Sequence, residues 1–260
     1  MKIALLTAAG LYLAFVLLLF AGQRALIYPA PKGPATVPAG FEKVSLETAD
    51  GLTLVAAWRA PAPGKRTILF FHGNGDSLPG AAMATRHLAA SGYGVLLADY
   101  RGYAGNPGTP TEAGLLQDGR AAVDFLARRG TASDAVVLMG ASLGSGVAAR
   151  MAAEHAPAAL VLVSPFTSLP DAGAAALPWV PVRTLMRDRF DNLGAITRVR
   201  APVLVLHASD DRVIPFRQGA ALVAAAPGGQ LARFANNGHQ LQFTAASQSA
   251  IAEWLAARGL

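Results

Sequence analysis

The sequence contains no cysteine. That excludes disulfides, thiolate-bound metal and a cysteine nucleophile, and it makes the fold indifferent to redox conditions. Charge is scarce too, at 15% of 260 residues against 53% hydrophobic. The formal net charge is +6, yet no basic run exceeds Arg128-Arg129 and no stacking aromatics are interleaved with the basic residues. The signature of a nucleic-acid surface is therefore missing, and a basic surface beside anionic lipid is the more economical reading. No metal-ligand cluster and no separate phosphate-cradling glycine loop are present, so no metal or cofactor is expected. Internal repeats and low-complexity tracts are absent as well.

Charge is missing altogether from residues 3–22, where Leu, Ala, Phe and Val dominate. At a rise of about 1.5 Å per residue a helix of this length spans roughly 30 Å, the thickness of a bilayer core. A cleaved signal peptide would need small residues in an Ala-x-Ala arrangement, but Leu19 and Phe20 put bulk upstream of Ala21 and Gly22. Residues 1–22 are therefore expected to be an uncleaved membrane anchor, with secretion after cleavage as the alternative. Lys2 lies on one side of it and Arg24 and Lys32 on the other. The positive-inside bias is weak, and Lys2 inside would place the remainder outside the cytoplasm. Residues 23–40, with Pro29, Pro31, Pro34 and Pro38, read as an extended tether.

Residues 41–260 suffice for one large domain with a substantial core. Alternating residues on both sides of Asp50-Gly51 predict a hairpin of strands over 41–47 and 52–58. Strand–helix units follow. Strands are expected over 67–71, 94–98, 135–139, 159–163, 203–207 and 230–234. Helices are expected over 81–91, 112–129, 143–155, 216–226 and 241–258, with Thr111 capping the second of these. Such alternation implies an α/β fold: a mostly parallel sheet with helices on both faces.

The third of these parallel strands ends in Gly140-Ala141-Ser142-Leu143-Gly144, and an alanine-rich helical pattern follows at once. A Gly-x-Ser-x-Gly sequence between strand and helix is the context of a nucleophile elbow. The tight turn strains the serine backbone and demands small neighbours, which Gly140 and Gly144 supply. Ser142 is the candidate nucleophile. The chemistry then needs a base and an acid beyond the carboxyl ends of later strands. His239, after Gly238 in a post-strand loop, is the candidate base. His87 and His155 fall on helical stretches and read as solvated. Asp210 and Asp211 follow the 203–207 strand, and only one of them can face the histidine. The order serine, aspartate, histidine suits an α/β-hydrolase. Two backbone donors must stabilise an oxyanion. One is expected from Leu143. The other is expected from Asn74 in His72-Gly73-Asn74-Gly75, a loop that His72 would order.

The chain resembles serine hydrolases of the α/β-hydrolase fold, in particular a small membrane-anchored subgroup with lysophospholipase-like and depalmitoylating members. The residues that carry the resemblance begin with Gln23-Arg24-Ala25-Leu26-Ile27-Tyr28-Pro29 and His72-Gly73-Asn74-Gly75. They continue with Asp99-Tyr100-Arg101-Gly102-Tyr103, Pro110-Thr111-Glu112, the elbow, and Ser164-Pro165-Phe166. Arg187-Asp188-Arg189-Phe190-Asp191-Asn192, the Asp211 segment and Gly238-His239 complete the set. The resemblance favours Asp211 over Asp210 by its spacing to Pro215, giving Ser142, Asp211 and His239 as the implied triad. Two positions depart from the subgroup's pattern, Ala104 and Ala208, where glycine would be usual. Residues 166–200 then look like a small cap over the nucleophile. In it Leu177, Trp179, Val180 and Leu185 are candidates either for an acyl pocket or for packing the cap onto the domain. The implied activity is cleavage of a carboxylic ester or thioester with an apolar acyl group, a small-molecule substrate presented at a membrane whose lipid is the second partner. A peptidase and a non-catalytic lipid-binding scaffold are the alternatives.

Overall fold

The computed structural model describes residues 1–260, and it places eight strands in one sheet in the order β1-β2-β4-β3-β5-β6-β7-β8. The hairpin strands β1 (Glu42–Glu47) and β2 (Thr53–Arg59) are antiparallel to each other, with Gly51 turning the chain at φ +83°. β2 is antiparallel to β4 (Gly94–Ala98), and every later pairing is parallel. Those later strands are β3 (Thr67–Phe71), β5 (Val136–Ala141), β6 (Ala159–Val163), β7 (Val203–Ala208) and β8 (Gly229–Phe234). Central strands read as unbroken apolar runs because both their faces are covered. On β3, Leu69 and Phe71 join one core cluster while Ile68 and Phe70 join the other, the period of two that a pleated strand imposes.

Helices α2 (Leu78–Ala90) and α9 (Ala245–Ala256) cover one face. α3 (Glu112–Arg128), α4 (Leu143–Glu154) and α8 (Phe216–Ala225) cover the other. Thr111 caps α3 as expected, its hydroxyl accepting from the Gly114 N–H at 3.0 Å. The pattern over 241–258 resolves into a single turn of 3-10 helix at Leu241–Phe243 followed by α9. Thr244 interrupts it by accepting the Ser247 N–H as an N-cap. Between β6 and β7 lie three short helices, α5 (Leu169–Ala176), α6 (Val182–Leu185) and α7 (Asn192–Ile196).

The N-terminal helix α1 (Lys2–Ile27) is the one helix long and apolar enough to cross a membrane. It continues through Gln23 to Ile27, residues read from sequence as the start of the tether, and it stops just before Pro29. One stripe of α1 lies on the α5–α6 region: Val16 is buried with Val180 and Val182, and Leu19 packs beside them. Tyr12 donates to the Trp179 carbonyl at 2.8 Å, and Phe15 stacks on Trp179.

Candidate active site

The sheet order reverses at β3, since β4 lies on one side of it and β5 on the other. Ligands of open α/β sheets bind in the crevice at such a switch point, beyond the carboxyl ends of the strands. Here the two segments leaving β3 and β5 touch. A Cβ built on Gly73 would stand 3.5 Å from Ser142 Cβ.

Ser142 adopts φ +48° and ψ −115°, the strained turn an elbow requires. Its glycine neighbours are needed for contact. A Cβ on Gly140 would collide with the Gly144 carbonyl, and a Cβ on Gly144 would collide with the Phe71 carbonyl. The turn is also braced from below. Ser145 Oγ donates to the Ser142 carbonyl at 2.6 Å and accepts from Asn192 Nδ2 at 3.2 Å, and Asn192 also donates to the Phe166 carbonyl.

The structure brings Ser142, His239 and Asp211 into one chain of hydrogen bonds. His239 Nδ1 lies 2.8 Å from Asp211 Oδ2, and His239 Nε2 lies 2.9 Å from Ser142 Oγ. A carboxylate can only accept, so Nδ1 carries the hydrogen and Nε2 is left to accept from the serine hydroxyl. Asp211 is held ionised. Burial alone would raise its pKa, but hydrogen bonds from His207 and His239 and from the Ile214 N–H outweigh that and hold the carboxyl well below its ordinary range. Its other oxygen accepts from the Val213 and Ile214 N–H groups at 2.8 and 2.9 Å. Asp210 faces away from the relay. Its Oδ1 accepts from the Asn237 and Gly238 N–H groups, holding the loop that precedes His239.

Of the two expected oxyanion donors, Leu143 is the first residue of α4, where N–H groups have no partner inside the helix. Asn74 lines the same cavity as Ser142, with its side-chain Nδ2 donating to the Ile27 carbonyl at 3.2 Å. His72 sits fully buried below this loop. It is bonded to the Gly73 carbonyl at 2.8 Å and to Asp99 at 3.1 Å, which fits ordering of the loop. Burial opposes a charged His72, but the Asp99 carboxylate outweighs it and raises the imidazole pKa. The cavity in front of Ser142 measures about 210 Å³ and is lined largely by polar groups, among them Asp76, Gln240 and Gln242.

Two supporting residues were given no role from the sequence. Ser164, just after β6, takes φ +48° and donates from Oγ to the His239 carbonyl at 2.9 Å. His207, at the end of β7, is buried with Nε2 2.9 Å from the Ile214 carbonyl and 3.4 Å from Asp211 Oδ2. The cap differs from the expected cover over the nucleophile. None of residues 166–200 lines the Ser142 cavity. Leu177, Val180 and Leu185 instead line an apolar cavity against α1, while Trp179 is 55% exposed.

Comparison with known proteins agrees with this architecture. Residues 62–194 match the model of the family described as serine aminopeptidase, S33. The uncharacterized protein Rv2307c of Mycobacterium tuberculosis is 40% identical over 234 residues, covering 86% of this chain and 81% of that one. The lysophosphatidylserine lipase ABHD12 of Macaca fascicularis is 31% identical over 179 residues, covering 61% of this chain and 45% of that protein. Among solved structures, the Pyrococcus furiosus esterase Pf2001 superposes with a TM-score of 0.70 at 19% identity, over 88% of this chain and 98% of the esterase.

Proposed function

From its membership of the α/β-hydrolase family, to which this chain belongs, and from the geometry around Ser142, we propose that the protein is a serine hydrolase that cleaves carboxylic esters or thioesters with an apolar acyl group. The observation that carries the reading is the continuous relay Asp211–His239–Ser142, with both hydrogen bonds under 3 Å. In this reading Ser142 Oγ attacks the acyl carbonyl carbon as its proton passes to His239 Nε2. The ionised Asp211 stabilises the imidazolium and fixes the ring. The oxyanion of the tetrahedral intermediate accepts from the N–H groups of Leu143 and Asn74. Collapse breaks the bond to the alcohol or thiol, which leaves with the proton from His239. Water then attacks the acyl-enzyme, giving its proton to His239, which returns it to Ser142 as the carboxylic acid departs.

An ester substrate with an apolar acyl group is supported by the apolar cavity between α1 and the cap and by the long apolar α1. The name of the ABHD12 relative, a lysophosphatidylserine lipase, points to a lipid ester. We further propose that α1 anchors the protein in a membrane with the catalytic domain outside the cytoplasm. The test is hydrolysis of p-nitrophenyl esters of rising chain length by full-length protein in detergent, with Ser142→Ala and His239→Ala beside it. Turnover by wild type that falls to background in both variants supports the reading. Turnover that survives Ser142→Ala would overturn it.

A further inference from the structure

The sequence marks where α1 should meet water. Residues 3–22 carry no charge, and Gln23 and Arg24 follow. The fold repeats that boundary from the cap side. Arg187 lies over the Phe20 ring at 4.3 Å, and its backbone N–H donates to Gln23 Oε1 at 2.8 Å. Arg24 pairs with Asp188 at 3.0 Å, and the Tyr28 hydroxyl donates to the same carboxylate. Polar groups of the cap therefore meet the helix on one side, from Phe20 to Tyr28.

The cap does not stop at those polar contacts. It continues along α1 into the uncharged stretch, with Val180 and Val182 on Val16 and Trp179 against Phe15 and Tyr12. These contacts recur every three or four residues, so they occupy one stripe of the helix. The opposite stripe, with Leu13, Leu17 and Leu18, is more than half exposed. From Phe20 to Tyr12 and Phe15 the helix rises roughly 10 Å. If the uncharged stretch lies in hydrocarbon, the segment 177–182 lies there beside it. That segment is Leu-Pro-Trp-Val-Pro-Val, which carries no charge.

The same contact leaves an open-sided cavity of about 130 Å³ whose lining is hydrophobic but for Gln23. Its walls are Val16, Leu19 and Ile27 from α1 and Leu177, Val180 and Leu185 from the cap. Ile27 is the link to the chemistry. Its side lines this cavity, and its carbonyl accepts from Asn74, which lines the cavity of Ser142.

We propose that the 177–182 segment is immersed about 10 Å deep in the leaflet around α1, and that the cavity between α1 and the cap receives the acyl chain of a bilayer lipid whose ester carbonyl reaches Ser142. The anchor helix is then one wall of the acyl site. The proposal rests on the serine hydrolase reading for its chemistry, while the immersion stands without it.

Two experiments separate them. Full-length protein carrying Trp58→Phe and Trp254→Phe keeps Trp179 as its one tryptophan. It is reconstituted in phosphatidylcholine vesicles containing lipid brominated either near the glycerol backbone or in the chains. The proposal expects stronger quenching by the chain-brominated lipid and little quenching by aqueous acrylamide. Quenching by acrylamide alone would place the segment in water and overturn the immersion. For the cavity, Val180→Trp and, on the opposite wall, Leu19→Trp are assayed on p-nitrophenyl dodecanoate and acetate. The ratio of the two rates is expected to fall about tenfold or more, equivalent to losing roughly two buried methylenes. An unchanged ratio in a folded variant overturns the acyl site. Failure of the serine hydrolase reading looks different: wild type itself would turn over neither ester, whatever Trp179 reports.

Discussion

Arg24, in the last turn of α1, and Asp188, in the cap, lie 164 residues apart and share two hydrogen bonds of 3.0 and 3.2 Å. The Asp188 side chain is only 5% exposed, so losing Arg24 would leave a buried carboxylate held by Tyr28 alone. Burial and the Asp188 charge push the Tyr28 phenol well above its ordinary pKa, so it remains a donor. Arg24→Ala is expected to cost about 1–2 kcal/mol, discounted because the guanidinium is partly solvated. Arg24→Ala combined with Asp188→Ala should cost less than the sum of the single changes by about 1 kcal/mol. Thermal unfolding of the four proteins in detergent measures this. Strict additivity would deny the coupling.

Asp211 and Asp210 should separate cleanly by substitution. Asp211→Asn keeps a side-chain oxygen for the Val213 and Ile214 N–H groups, so the fold should hold. The amide cannot enforce the same histidine tautomer, and kcat should drop by about 10⁴. Asp210→Ala removes only the brace on Asn237 and Gly238, and a loss of about tenfold is expected from the looser histidine loop. Ester hydrolysis with circular dichroism as the folding control checks both. A larger effect at Asp210 would reverse the assignment.

Ala104 stands where the resemblance leads one to expect glycine, and it takes φ +43°. Its N–H donates to the Pro31 carbonyl at 2.9 Å, so the strained backbone is held by the segment that follows α1. A left-handed conformation costs an L-residue about 1–2 kcal/mol. Ala104→Gly is therefore expected to stabilise by about 0.5–1 kcal/mol after loss of a buried methyl, read as a higher melting temperature. Ala208 needs no such relief, since it ends β7 fully buried and without a positive φ. A lower melting temperature for Ala104→Gly would contradict the strain.

Glu154 gives a pH-dependent signal. Hydrogen bonds from Arg120 hold its carboxyl down at about 2, against an ordinary 4.5, with Arg150 adding to the effect and burial opposing it. The folded value is the lower one, so the stabilisation is complete above about pH 4.5 and disappears as the pH falls toward 2. Solvent screening limits it to about 1 kcal/mol. Glu154→Gln should melt below wild type at pH 6, with the gap closing as acid is added. A constant gap would show that the pair carries no such linkage.

The sheet and the elbow were legible because their signals are local. Apolar runs with the length of buried strands predict β3, β4 and β6 to the residue, and Gly-x-Ser-x-Gly announces the turn at Ser142. The positions of His239 and Asp211 follow from strand ends, and the choice between the two aspartates came from a resemblance in spacing. What sequence could not supply depends on partners far along the chain. α1 outruns the uncharged stretch because Gln23 bonds to Arg187 and Arg24 to Asp188, more than 160 positions away. The roles of Ser164 and His207 emerge only where the sheet brings them to His239 and Asp211. The strand order is likewise set by packing, with no trace in hydrophobic periodicity.

The central claim is that Ser142 is an activated nucleophile, and covalent labelling by a fluorophosphonate tests it most directly. Full-length wild type in detergent should be labelled at Ser142, and Ser142→Ala should not be labelled at all. Folded wild type that stays unlabelled, or a Ser142→Ala variant that still labels, would contradict the account.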